Sequence, residues 1–146
     1  MYSKYLQDIG VKDWIAEYND DIILHANNEK EIAEKLLYYT HYKYDYGIDP
    51  RECYDAEQSL YEYIYCLLKE YIQPKVTSTI NLHYHTVEYN GVCWYQDEAI
   101  DRVLNAIKQW LRFKEIDSPY YLGETLYSEL KDSLHLFVEI LCYMWW

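Results

Sequence analysis

A chain of 146 residues, about half of them apolar, is long enough to bury one sizeable core and too short for two comfortable domains, so a single domain is expected. Its 25 acids against 13 bases give a formal charge of −12, which opposes the phosphate backbone that Lys and Arg must neutralise; direct DNA or RNA binding is not expected. No apolar run reaches the roughly 20 residues of a membrane-spanning helix, and "MYSKYLQDIG" lacks the apolar heart of a signal peptide, so a cytoplasmic protein is expected.

In chain order, Ser3 to Asn19 reads as one or two short helices around Gly10, and Ile22 to His25 as a short strand or extended link. From Asn28, with Glu29 and Glu31 in the first turn, apolar positions recur at Ile32, Ala33, Leu36, Leu37 and Tyr39 until Gly47, predicting a helix. In "DPRE", Asp49 can cap, Pro50 sits at the first helical position and Glu52 completes a capping box. The helix that follows has Cys53, Ala56, Leu60, Ile64, Leu67 and Tyr71 as its core stripe and ends before Pro74.

From Val76 to Gln96 β-branched and aromatic residues dominate, and Asn90-Gly91 is the pair a two-residue type I′ hairpin requires. A tight turn there pairs Tyr89 with Val92, Glu88 with Cys93, Val87 with Trp94 and His85 with Gln96. Helix resumes at Asp97, with Ile100, Val103, Leu104, Ile107 and Leu111 on one face and Arg112 and Lys114 in the last turn. A last helix from Gly123 carries Leu126, Leu130, Leu134, Phe137 and Leu141, and its end, "LFVEILCYMWW", is apolar on nearly every side. The fold class is therefore mainly α (α+β): a bundle-like domain of four to five helices with one β-hairpin.

Twenty tyrosines are more than these stripes need. Tyr54, Tyr61 and Tyr65 form a second stripe on their helix, at about 100–140° from the centre of the aliphatic one, and Tyr38, Tyr42 and Tyr46 repeat at i, i+4 on the helix before. Between Asp45 and Tyr65 lie six acids against Arg51 alone, beside five tyrosines. Arg51 and Lys69 fall on the face opposite the aliphatic stripe and interrupt the acidic strip. Acids with exposed aromatics imitate the charge and flat faces of a nucleic acid, and tyrosine offers large, rigid contact area.

Among enzyme-like signals, His83 and His85 in "LHYHTVEY" stand two apart, on one face of a strand, as two metal ligands would. A third ligand is needed: Glu88 and Cys93 fall on the other face and the histidine face carries Val87 and Trp94, which leaves His25, His41 or His135 to supply it. The four cysteines are widely spaced without a CxxC pair, so reduced thiols are expected. No phosphate-cradling glycine loop and no hydrolase or zinc-protease motif occurs, and no cofactor is expected.

These features favour a non-enzymatic, acidic interaction protein: an inhibitor or decoy for a basic, nucleic-acid-handling protein such as a nuclease. In charge, size and tyrosine usage the chain is similar to toxin-immunity and phage anti-defence proteins. The expected contact surface is Tyr42, Tyr46, Asp49, Tyr54, Asp55, Tyr61, Glu62 and Tyr65. Two alternatives stand beside it, a homodimer assembled through the apolar C-terminal helix and a metal-dependent enzyme using His83 and His85.

Overall fold

The computed structural model describes residues 2–73, 81–115 and 120–144. Pro74, Pro119 and Trp145–Trp146, together with the first residues of the β-rich stretch expected from Val76, lie outside the described residues. The fold is mainly α with one antiparallel hairpin: α1 (Lys4–Asp8), α2 (Trp14–His25), α3 (Glu29–Tyr46), a 3₁₀ turn (Pro50–Cys53), α4 (Ala56–Tyr71), β1 (Thr86–Tyr89), β2 (Val92–Tyr95), α5 (Gln96–Glu115) and α6 (Tyr120–Leu141). The chain divides into two compact units, one of Ser3–Val11 with the chain from Tyr61 onward, the other of Lys12–Leu60.

The first unit holds every buried apolar side chain among the described residues. Its centre is the pair α5 and α6, which pack along each other. The aliphatic stripe expected on α5 is buried in full, and α6 adds Leu130, Leu136, Phe137 and Ile140. The hairpin has the expected register, Tyr89 opposite Val92, Glu88 opposite Cys93 and Val87 opposite Trp94. Asn90 (φ 52°) and Gly91 (φ 74°) both take positive φ, as a type I′ turn demands. A backbone bond from the Gln96 N–H to the His85 carbonyl (3.1 Å) carries the ladder one step beyond the strands. Tyr89 ties the hairpin to α6: its hydroxyl lies 3.2 Å from Asp132 Oδ1 and 3.3 Å from His135 Nδ1.

The face that α4 turns inward differs from the aliphatic stripe. Ile64 and Tyr71 are buried as expected, but Leu60 is 54% exposed and Leu67 40%, and Cys53 and Ala56 are exposed. The core takes Tyr61 (5% exposed), Tyr65 (4%) and Leu68 instead. At about 100° per residue the buried arc is rotated by roughly one residue from the expected one. The physical reason is area: a buried tyrosine removes some 150–250 Å² from water, as much as any aliphatic side chain, provided its hydroxyl is accommodated. Tyr71 illustrates the proviso, its hydroxyl accepting from Gln96 Nε2 at 3.4 Å.

The second unit is α2, α3 and the 3₁₀ turn. Residues Ile22 to His25, expected as extended chain, are the last turn of α2. The Asp13 side chain caps that helix by accepting from the Ala16 N–H at 3.1 Å, and Glu17 favours its N-terminal dipole, so the β-branched Ile22-Ile23 pair is carried along as helix. α3 has the boundaries its caps dictate: Asn28 accepts from the Glu31 N–H at 2.9 Å, and Gly47 (φ 79°) closes the last turn in the left-handed conformation. Neither α2 nor α3 contains a buried residue.

Candidate functional site

The most ordered polar cluster of Lys12–Leu60 forms around Arg51. Asp49 caps the 3₁₀ turn in a full capping box with Glu52, and Pro50 fixes the entry angle, so the Asp49 carboxylate and the Arg51 side chain emerge side by side. The guanidinium then makes a bidentate pair, Nε to Oδ1 at 3.0 Å and Nη2 to Oδ2 at 2.7 Å. Its remaining arm, Nη1, donates to Asn19 Oδ1 at 2.6 Å, and its plane covers the Tyr39 ring at 4.0 Å from the centroid.

Burial alone would raise the Asp49 carboxyl. The hydrogen bonds and charge of Arg51 outweigh it and hold that group below the usual carboxylate range. Burial, joined by a hydrogen bond with Tyr54, pushes the Tyr39 hydroxyl up.

Around this cluster the aromatic rings form two runs. Trp14 meets Tyr18 edge-on at 5.6 Å, and Tyr18 meets Tyr54 at 5.7 Å. Tyr39 neighbours Tyr38 at 5.2 Å, Tyr38 lies 6.1 Å from Tyr42, and Tyr42 lies 4.6 Å from Tyr46. Tyr18, Tyr38, Tyr46 and Tyr54 are open to solvent, as are Ile23, Leu24 (77% exposed), Leu37 and Tyr44 (87%). Twelve acids and five bases accompany them in Lys12–Leu60, a local charge of −7. Ile22, Glu34, Lys35, Tyr38 and Tyr39 line an open hollow of about 360 Å³ on α2 and α3.

Of the expected contact residues, Tyr46, Tyr54 and Asp55 are exposed and Tyr42 is half-buried. Asp49 is buried against Arg51, which is itself buried and so does not interrupt a solvent-facing strip. Tyr61, Glu62 and Tyr65, expected on that surface, are instead buried in the other unit, where the core takes the rings. Leu24, Leu37, Tyr38 and Tyr44, not among the expected contact residues, are exposed as well; i, i+3 and i, i+7 spacing places Leu37 and Tyr44 with Thr40 on one outward face of α3.

The histidine pair is also placed differently. The strand begins at Thr86, and His83 lies in the turn before it, so the two rings do not share a strand face. His83 Nδ1 sits 3.1 Å from each carboxylate oxygen of Asp97 and its ring stacks on Tyr95 at 3.8 Å, whereas the His85 ring stacks on Tyr143 at 5.4 Å. Among the described residues no group of three or more His, Cys, Asp or Glu side chains is arranged to hold a metal ion, and no helix is long and apolar enough to cross a membrane.

Comparison with protein-family models, with curated proteins and with solved structures finds no match to this chain.

Proposed function

We propose that the protein is a non-enzymatic, acidic binding protein whose Lys12–Leu60 unit docks on a basic surface of another protein, as an inhibitor or decoy of a nucleic-acid-handling enzyme. One observation carries this reading: Lys12–Leu60 buries no apolar side chain, yet exposes Ile23, Leu24, Leu37, Tyr38, Tyr44 and Tyr54 among twelve acids. Large exposed apolar area rimmed by charge marks an interaction surface, and the rings supply the rigid contact area that binding hot spots favour. The charge selects the partner. A second copy brings another −12, whereas a basic groove is attracted and steered in.

The test is affinity capture from host lysate at low and high salt, followed by competition with duplex DNA. The reading expects a basic protein that is weakened by salt and displaced by DNA. Partners indifferent to both, or recovery of the bait alone, would sink it.

A further inference from the structure

The geometry points to the hollow on α2 and α3 as a seat for an arginine side chain presented by the partner, an assignment that rests on the basic-partner reading above. At about 360 Å³ the hollow is near the small end of the range for ligand pockets, roughly 300–1,000 Å³, and it is open, so it suits one or two protruding side chains better than an enclosed cofactor. Ile22 provides an apolar surface for an aliphatic stem. Tyr38, 58% exposed, provides an aromatic ring, and Tyr39, whose ring already carries Arg51, adds aromatic lining at an interplanar angle of 76°.

Two charges line the hollow, and only one is spoken for. Lys35 Nζ is held by Glu31 at 2.9 Å, while Glu34 is two-thirds exposed and has only a 3.9 Å contact to Lys30. The seat therefore offers one available carboxylate beside aromatic rings, a combination that repels phosphate and attracts a cation.

The same unit already contains a worked instance of this chemistry. Arg51 lies on the Tyr39 ring at 4.0 Å while its fork binds the Asp49 carboxylate. Guanidinium is preferred to ammonium in such a setting because it is planar, stacks on rings and pairs with carboxylate through a fork; a lysine delivers only a point charge.

The experiment uses the full chain, labelled with ¹⁵N, titrated with a hexa-arginine peptide and in parallel with a hexa-lysine peptide of equal charge. Two variants at exposed positions, Tyr38→Leu and Glu34→Gln, are titrated alongside, with circular dichroism confirming an unchanged helix content. The expected result is that hexa-arginine binds about fivefold tighter than hexa-lysine and shifts the amides of Glu34 to Tyr39, and that Tyr38→Leu removes most of that preference. Equal affinity for both peptides, unaffected by either variant but still salt-sensitive, overturns the arginine seat and leaves the basic-partner reading standing. Failure of both peptides to bind at low salt overturns the reading as well.

Discussion

Replacing Arg51 with alanine tests whether the Asp49–Arg51 cluster is what holds Lys12–Leu60 together. The substitution removes the two hydrogen bonds to Asp49, the bond to Asn19 and the cover over Tyr39, and it leaves the Asp49 carboxylate in a site where both partners of the pair are nearly inaccessible. Removing one partner of a buried pair costs about 3–5 kcal/mol because the other charge stays uncompensated. That exceeds anything a surface pair contributes, about 0–1 kcal/mol. The double variant Asp49→Asn/Arg51→Met keeps a capping oxygen and fills the volume without charge, so it is expected to lose less than Arg51→Ala alone.

The pH dependence has a definite sign. In the parent protein the Asp49 carboxyl is held below its ordinary value of 3.8, so its stabilising share is present above that pH and is lost as pH falls through the folded value. In Arg51→Ala the guanidinium's hydrogen bonds and charge are gone while the backbone N–H of residue 51 and the Lys43 charge remain, so the carboxyl rises from its parent value and the penalty shrinks on acidification. Native-state hydrogen exchange resolves this by region, where a single unfolding curve would average the two units. A loss below about 1 kcal/mol at neutral pH in the Lys12–Leu60 amides would refute the argument.

Three further outcomes follow from packing and exposure. Tyr65→Ala is expected to cost about 3–5 kcal/mol in urea unfolding and Leu67→Ala under about 1, because the tyrosine is in the core and the leucine on the surface; the reverse order would restore the aliphatic stripe. In Gly123→Ala the new methyl would stand 2.7 Å from Phe113 Cζ, so the gain in helix propensity, about 1 kcal/mol, is expected to be outweighed by overpacking of about 1–3 kcal/mol; a Phe113→Leu background should relieve it, as read by melting temperature. Burial pushes the Cys66 thiol up against the opposing effect of its 3.0 Å contact with Ser3, so a thiol reagent is expected to modify the exposed Cys53, Cys93 and Cys142 first and Cys66 far more slowly.

What was legible in the sequence follows from how unambiguous each signal is. Asn90-Gly91 admits one turn and fixes the hairpin register, and the α5 stripe is aliphatic against a polar background, so both are found as expected. The bounds of α3 were legible from Asn28 and Gly47 because caps are local chemistry. On α4 the signal was ambiguous, since Leu60 and Leu67 compete with Tyr61 and Tyr65 for the inward face. Ranking by aliphatic character picks the leucines, and the structure picks the rings. The same ambiguity runs through the expected contact residues: Tyr46 and Tyr54 are exposed while Tyr61 and Tyr65 are buried, and nothing in their local sequence distinguishes a tyrosine that completes a core from one that faces water. From sequence Arg51 reads as an outward charge because a buried arginine is rare without a partner, and the partner, two residues away through a 3₁₀ turn, falls outside helical spacing.

The division of labour among the tyrosines has an energetic consequence. Tyr61, Tyr65 and Tyr71 lie within a core that also contains α5 and α6, so opening that region exposes large apolar area. On α2 and α3 no residue is buried, and their order rests on caps, ring-to-ring contacts and the Arg51 cluster. Each cap contributes only about 1 kcal/mol, and even an 18-residue helix is marginal in water without packing. Amides of α2 and α3 are therefore expected to exchange through low-energy openings, orders of magnitude faster than those of Ile100 to Leu111. Covering the exposed face should slow them, since anything that binds only the ordered form stabilises it by mass action. Exchange measured with and without saturating hexa-arginine separates the possibilities. Slow exchange in the free protein would mean that α2 and α3 are held by something other than the contacts above. Fast exchange that slows on α2 and α3 alone would locate both the weak region and the surface it offers.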